Sequence, residues 1–385
     1  MRGEQYLLLP GPTPVPEKIL RAMSMPMINH RGPEFKELLM EVTEGVKKVF
    51  ATRQKVLIYP SSGSGMLEAA VVNFISPGDK VLAVSIGVFG DRFAKIAAEF
   101  GADVQKISFP WGEAADPQAI KEILDGDKNH EIKAILITQN ETSTGVYNDL
   151  KAIREATLQH PALFMVDAVS GLGAIDLRMD EWNLDVVVSG SQKAFMLPPG
   201  LGFMAFNEKA LKVHRQSTNS KFYWDVTSAL KYFEKGQTPY TPAISLFFGL
   251  RESLIMIKEE GLENTLARHR RYRDLIRAGV KEMGLQLLAD DKVASCAVTS
   301  VIAPEEIGAN KIRKYMLDEF NIVLAGGQQN LDNVIFRIGH LGYVRELDLL
   351  AVLAALEVTL VRLGCKVEMG AGLRKAETML LEYHQ

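Results

Sequence analysis

Between residues 55 and 206 the apolar positions alternate between two patterns. Short runs, several of them β-branched, predict strands at 55–59, 80–85, 104–108, 132–138, 162–166, 185–188 and 202–206. Between them, apolar residues spaced three and four apart predict helices at 65–74, 89–100, 117–124 and 150–158, the second closed by Gly101. A strand that is apolar on consecutive residues needs cover on both faces. The pattern therefore predicts an α/β unit, with a mostly parallel central sheet flanked by helices.

The flanks read differently. Residues 6–14 form an arm broken by Pro10, Gly11, Pro12 and Pro14, and Pro16 starts a short helix to about Met25. From Pro33 a second helix places Phe35, Leu38, Leu39, Val42, Val46 and Val49 on one face. Residues 217–241 lack a clear period and are rich in aromatics (Phe222, Tyr223, Trp224, Tyr232, Phe233, Tyr240), as functional or interface segments often are. Helices follow at 244–258 and 262–283, the second strongly basic and expected on the surface. A smaller α+β unit closes the chain, with strands at 297–303, 322–325 and 334–338 and helices at 309–320 and 345–363. A length of 385 residues exceeds what one core usually supports. The expected division is a large domain over 16–255 and a small one formed by the arm, 1–15, with 256–385.

Composition narrows the function classes. The chain is 47% apolar and 24% charged, with net charge −3, which offers no electrostatic reason to expect nucleic acid or an anionic membrane. No apolar run approaches the ~20 residues of a membrane span. The first residues meet proline too early for a signal peptide, and the last four, Glu-Tyr-His-Gln, carry no peroxisomal address. Cys296 and Cys365 are far apart, show no metal-ligand spacing and suit a reducing compartment. The expectation is a cytoplasmic protein without a metal site.

Candidate chemistry clusters at predicted strand ends, where parallel sheets bind ligands. Lys193 follows the 185–188 strand and precedes Pro198-Pro199-Gly200, which bars a helix. A lysine desolvated on a rigid turn is a usable nucleophile toward a carbonyl, although most lysines are solvated surface. Pro60-Ser61-Ser62-Gly63-Ser64-Gly65 stands between a strand and a helix. It reads either as an anion cradle or as an ordinary capped turn, and it lacks the Gly-Lys-Ser/Thr of a nucleotide-hydrolysing loop. Asp167 ends an apolar run and needs a partner, whether a cation or a helix it caps. Asn140-Glu141-Thr142-Ser143-Thr144-Gly145 is a short polar loop after the 132–138 strand. Arg337 lies inside an apolar strand, where it must meet either a ligand anion or an internal carboxylate; His340 reads as a satisfied core or rim histidine. An anion cradle, a carboxylate, a lysine and an arginine together suit pyridoxal phosphate.

In order along the chain, these segments resemble a known family. Leu-Leu-Pro-Gly-Pro-Thr at 8–13, Ser-Ser-Gly-Ser-Gly-Met-Leu-Glu-Ala at 61–69 and Asn-Glu-Thr-Ser-Thr-Gly-Val at 140–146 carry the likeness. So do Val-Asp-Ala-Val-Ser at 166–170, Ser-Gly-Ser-Gln-Lys-Ala at 189–194, Tyr-Thr-Pro at 240–242 and Arg-Ile-Gly-His-Leu-Gly at 337–342. The chain resembles the class V aminotransferases of fold type I, and within them the alanine–glyoxylate and serine–glyoxylate or serine–pyruvate enzymes. Arg178-Met-Asp-Glu-Trp182 and Val-Glu-Met-Gly at 367–370 look most like the serine–glyoxylate branch.

The resemblance implies pyridoxal 5′-phosphate held covalently as an aldimine at Lys193, which would also move the substrate Cα proton. Asp167 would keep the pyridine nitrogen protonated. Ser62, Gly63 and Ser64 would bind the phosphate, with Gln192 beside the lysine. Thr142 would sit near the phenolic oxygen, Val169 against one ring face and Phe89, where alanine–glyoxylate enzymes typically carry tryptophan, against the other. Gln237 and Thr238 would reach the partner's cofactor in a homodimer that shares its sites. Arg337 would clamp the substrate carboxylate. The implied reaction is ping-pong transfer between a small amino acid (alanine or serine) and a 2-oxo acid (glyoxylate or pyruvate). Two rivals stand beside it: a cysteine desulfurase or other class V enzyme, and a subunit that binds the cofactor without turnover. Against the desulfurase, Ala325-Gly-Gly-Gln-Gln-Asn330 contains no cysteine.

Overall fold

The structure is a computed structural model and describes residues 5–383; residues 1–4 of the expected arm and 384–385 of the small unit lie outside the described residues. The strands in chain order are β1 (Tyr6–Leu8), β2 (Lys55–Ser61), β3 (Lys80–Ser85), β4 (Asp103–Ser108) and β5 (Ile132–Thr138), then the two-residue β6 (Asn140–Glu141) and β7 (Val146–Tyr147). They continue as β8 (Leu163–Asp167), β9 (Val186–Gly190), β10 (Gly200–Phe206), β11 (Val298–Ile302), β12 (Ile322–Gly326) and β13 (Ile335–Gly339).

Seven strands form the large sheet in the order β2-β10-β9-β8-β5-β3-β4. The run from β9 to β4 is parallel, and β10 pairs antiparallel with both β2 and β9. The continuous apolar runs are explained by the two faces. Leu82 and Val84 of β3, Ile135 and Ile137 of β5 and Phe164 and Val166 of β8 join one core cluster. Their neighbours Val81, Ala83, Ala134, Leu136, Leu163 and Met165 join the other. Each strand thus feeds two cores, and the sheet is sealed on both sides.

The second sheet has the order β1-β12-β13-β11. β1 pairs parallel with β12, which ties the N-terminal arm to the C-terminal region, while β13 pairs antiparallel with β12 and β11. Among the described residues no helix is long and apolar enough to cross a membrane.

Four expectations need correction. The helix expected from Gly65 starts at Gly63, because the Ser62 side chain accepts from the Gly65 N–H and caps it. The aperiodic segment contains a helix, Val226–Phe233, nucleated by Asp225, whose carboxylate accepts from the Thr227 and Ser228 N–H groups. The basic helix Leu262–Glu282 is not a surface rod: Leu266, His269, Tyr272, Leu275, Ile276 and Val280 are buried along one face. Arg277 on that face is neutralised by Asp291 at 2.6 Å. Finally, Ala371–Tyr383 forms a helix packed on that basic helix, where no element was expected.

Candidate active site

The parallel strands deliver the predicted residues to one edge of the large sheet. Ser62, Gly63 and Ser64 follow β2, Phe89 follows β3, and Thr142 follows β5; Asp167 ends β8, and Gln192 and Lys193 follow β9. Arg337 comes from the other sheet, in register between Ser300 and Ala325.

Lys193 sits on a turn fixed by the Met196 N–H donating to its carbonyl and by Ser191 Oγ donating to Pro198 O at 2.8 Å. Its Nζ donates to Pro10 O at 2.6 Å, so the N-terminal arm covers the amine. Gly11 makes that approach feasible: it holds φ +129°, and a Cβ there would lie 2.4 Å from Nζ. Burial drives the amine pKa down to about 8, opposed by Asp167 and helped by the cations Arg337 and Arg92. Asp167 is buried, and among the described residues its carboxylate accepts one hydrogen bond, from Val169 N at 2.9 Å. Burial pushes its pKa up to about 7; the Val169 bond resists that shift, and Glu141 adds to it. This carboxylate is short of a cationic partner.

The cradle is built from close packing. A Cβ on Gly63 would meet both Val169 γ-carbons at 2.7 Å, and one on Gly190 would meet Gln192 Oε1 at 2.9 Å and Gly63 N at 3.3 Å. Residues 63, 169, 190 and 192 therefore share one wall. Gln192 Oε1 on that wall is buried and, among the described residues, accepts no hydrogen bond. Ser64 Oγ accepts from Arg92 at 3.1 Å, and the Arg92 guanidinium lies 4.5 Å from the centre of the Phe89 ring.

Two further groups, Glu141 and Arg337, complete the site. Glu141, fully buried, accepts from Phe89 N at 2.9 Å, Gly90 N at 3.1 Å, Ser143 N at 3.1 Å and Ser143 Oγ at 2.6 Å. It fastens the 140–144 loop to the start of helix Val88–Glu99 and so fixes Phe89. Burial raises its pKa and these donors hold it back. Arg337, 6% exposed, donates to Gly326 O at 2.8 Å and to Thr142 O at 2.5 Å. Among the described residues no carboxylate lies within ion-pair distance of it, so an internal salt bridge does not account for its burial. Its pKa falls to about 10, mainly through desolvation.

The chain does not bring Gln237 and Thr238 to its own lysine. Gln237 Oε1 and Thr238 O both accept from Arg31, at 3.0 and 2.7 Å, on a surface shared with Tyr59, Tyr223 and Tyr240. His340 is a satisfied core histidine, its ring bonded to Thr299 Oγ1 and Cys296 O, both at 3.0 Å. Cys296 is buried against Arg273, at 3.6 Å, and burial pushes its thiol pKa up, unlike a reactive thiolate.

The model of one protein family, aminotransferase class V, matches residues 5–346. The chain belongs to the class V aminotransferases. It is 44% identical to a protein of Synechococcus sp. (strain PCC 6716) named as the small subunit of a soluble hydrogenase, over 99% of both chains. It is 39% identical to the serine–glyoxylate aminotransferase of Methylorubrum extorquens, over 99% of this chain and 97% of that one. The ureidoglycine–glyoxylate aminotransferase of Bacillus subtilis superimposes with a TM-score of 0.93 at 32% identity, covering 99% of each chain.

Membership makes the chain a fold type I enzyme that uses pyridoxal phosphate, and the residues present fit that cofactor. A depressed lysine amine suits its carbonyl, and an under-partnered buried carboxylate suits its ring nitrogen. The orphan Gln192 oxygen and the capped Ser62–Ser64 turn suit its polar substituents.

Proposed function

We propose that the chain transfers an amino group from a small amino acid, alanine or serine, to glyoxylate or pyruvate in two ping-pong half-reactions. Arg337 carries the reading: a buried guanidinium without a carboxylate partner is a standing site for the α-carboxylate shared by amino and 2-oxo acids. Both named aminotransferase relatives have glyoxylate as acceptor while their donors differ, which supports the acceptor more firmly than the donor.

When bound, pyridoxal phosphate supplies an electrophilic carbonyl and an electron sink for the Cα carbanion. In this reading Lys193 would hold it through its amine and would carry the proton lost from the substrate Cα. An amine with a pKa near 8 can do this, being neutral in useful fraction near neutral pH. Asp167 holds the proton on the ring nitrogen. Phe89 and Val169 would hold the ring, Thr142 the phenolic oxygen, and Ser62, Gly63 and Ser64 the phosphate, with Gln192 at the wall. Gln237 and Thr238 serve the partner's site in a homodimer. Beside them, Phe222 is 79% exposed, an aromatic surface suited to a second copy.

Steady-state kinetics with L-serine, L-alanine or L-aspartate against glyoxylate or pyruvate tests the proposal. Parallel double-reciprocal lines with a small donor are expected. No product from any pair would leave the cofactor-binding subunit, the second reading that the hydrogenase-named relative raises.

A further inference from the structure

We propose that Arg92 is the cationic partner of the cofactor's phosphate group. The inference rests on the reading that pyridoxal phosphate binds with its phosphate at Ser62–Ser64. A phosphate monoester carries a charge between about −1.5 and −2 near neutral pH. The cradle itself offers it hydroxyls and the N-terminus of helix Gly63–Phe74 but no positive side chain. Ser62 and Ser64 offer neutral hydroxyls, and a neutral hydrogen bond contributes little net affinity.

Arg92 supplies what the cradle lacks. Its Nη1 already donates to Ser64 Oγ at 3.1 Å, which places the guanidinium at the rim of the turn. Its Cζ stands 4.5 Å from the centre of the Phe89 ring, so stacking holds the planar fork in one orientation. Among the described residues no carboxylate lies within ion-pair distance of it. The neighbouring Asp91 is engaged elsewhere, by Lys106 at 2.9 Å and Ser85 Oγ at 2.9 Å. A guanidinium has five N–H donors, and the only side-chain or backbone acceptor that Arg92 meets among the described residues is one hydroxyl. An oriented, unneutralised fork at the rim of a ligand-facing turn is an anion site. Its electrostatic reach extends to Lys193 and Asp167, whose pKa values it lowers.

Direct binding measurements separate this role from a structural one. The wild type, Arg92→Gln and Arg92→Lys are stripped of cofactor and titrated spectroscopically with pyridoxal phosphate and, separately, with pyridoxal, which lacks the phosphate. Arg92→Gln is expected to weaken pyridoxal phosphate about 10- to 100-fold, the size of one charge-assisted hydrogen bond. Pyridoxal should stay within about twofold, and Arg92→Lys should fall between, keeping the charge without the fork. Unfolding in urea checks that the variants fold. Equal weakening of both ligands would overturn the proposal, because Arg92 would then act through Phe89 or the fold. Unchanged pyridoxal phosphate affinity with a raised KM for an acidic donor would also overturn it, assigning Arg92 to the substrate. A wild type that takes up neither ligand would overturn the cofactor reading and this proposal with it.

Discussion

Replacing Arg337 with methionine should separate catalysis from stability. The guanidinium is 6% exposed, donates to two backbone carbonyls and meets no carboxylate among the described residues. If it clamps the substrate carboxylate, the variant loses two charge-assisted hydrogen bonds. At ~1.5–3 kcal/mol each they amount to ~3–6 kcal/mol, or about 10²- to 10⁴-fold in kcat/KM. Folding should respond differently. Gly326 O and Thr142 O lose a donor, at ~1–2 kcal/mol each, while an apolar side chain of similar length removes a costly buried charge, offset only by the more distant Glu141. These terms oppose each other, and the net change should lie within ~2 kcal/mol of wild type. Steady-state kinetics and urea unfolding on the same preparations read both numbers. A kcat/KM within tenfold of wild type would refute the clamp. So would a stability loss beyond ~4 kcal/mol, which would make Arg337 a strut between the sheet and the 140–144 loop. Arg337→Lys should recover only part of the activity, since an ammonium cannot fork.

Three further outcomes follow from the same geometry. Glu141→Gln leaves one acceptor oxygen for donors from Phe89, Gly90 and Ser143, so urea unfolding should show a loss of ~2–4 kcal/mol; an unchanged midpoint would mean that Glu141 does not fasten the loop. Uptake of pyridoxal by the stripped protein should quicken with pH and level off above about 8, because burial depresses Lys193; an ordinary lysine would keep quickening toward 10.5. With the folded pKa below the unfolded one, the unfolded chain binds more protons between these values, so the cofactor-free fold should gain stability as pH rises through that window. Asp167→Asn keeps an oxygen for Val169 N–H but removes the charge. The fold should survive, kcat should drop about 10²- to 10³-fold, and activity within threefold of wild type would contradict its role.

The sequence was most informative where burial is symmetric. β3, β5 and β8 are apolar on consecutive positions because each face feeds its own core, and that pattern needs no tertiary knowledge to read. The turns after those strands were legible too, since small polar residues must follow a buried parallel strand wherever a ligand or helix end is served. Glu141 was hidden because its burial is decided by N–H groups from another segment, helix Val88–Glu99, and nothing in Asn140–Gly145 distinguishes a solvated glutamate from an enclosed one. The contact of Pro10 O with Lys193 left no side-chain signature at all; only Gly11 between two prolines hinted at a close approach. Arg92 carried a fainter signal, an arginine three residues after an aromatic on a helix, which is the spacing that lets the two stack. The basic helix misled because its charges outnumber the apolar residues on its buried stripe, and two terminal helices, Glu346–Arg362 and Ala371–Tyr383, cover that stripe.

Everything above turns on Lys193 as the residue that carries the cofactor. Borohydride reduction of the cofactor-loaded protein, followed by peptide mass mapping, tests it directly. One phosphopyridoxyl group is expected on Lys193, with its loss in Lys193→Ala and its displacement from the protein when an amino donor is added before reduction. A phosphopyridoxyl group on any other lysine, or an unmodified Lys193 in a protein that still turns over, would contradict it.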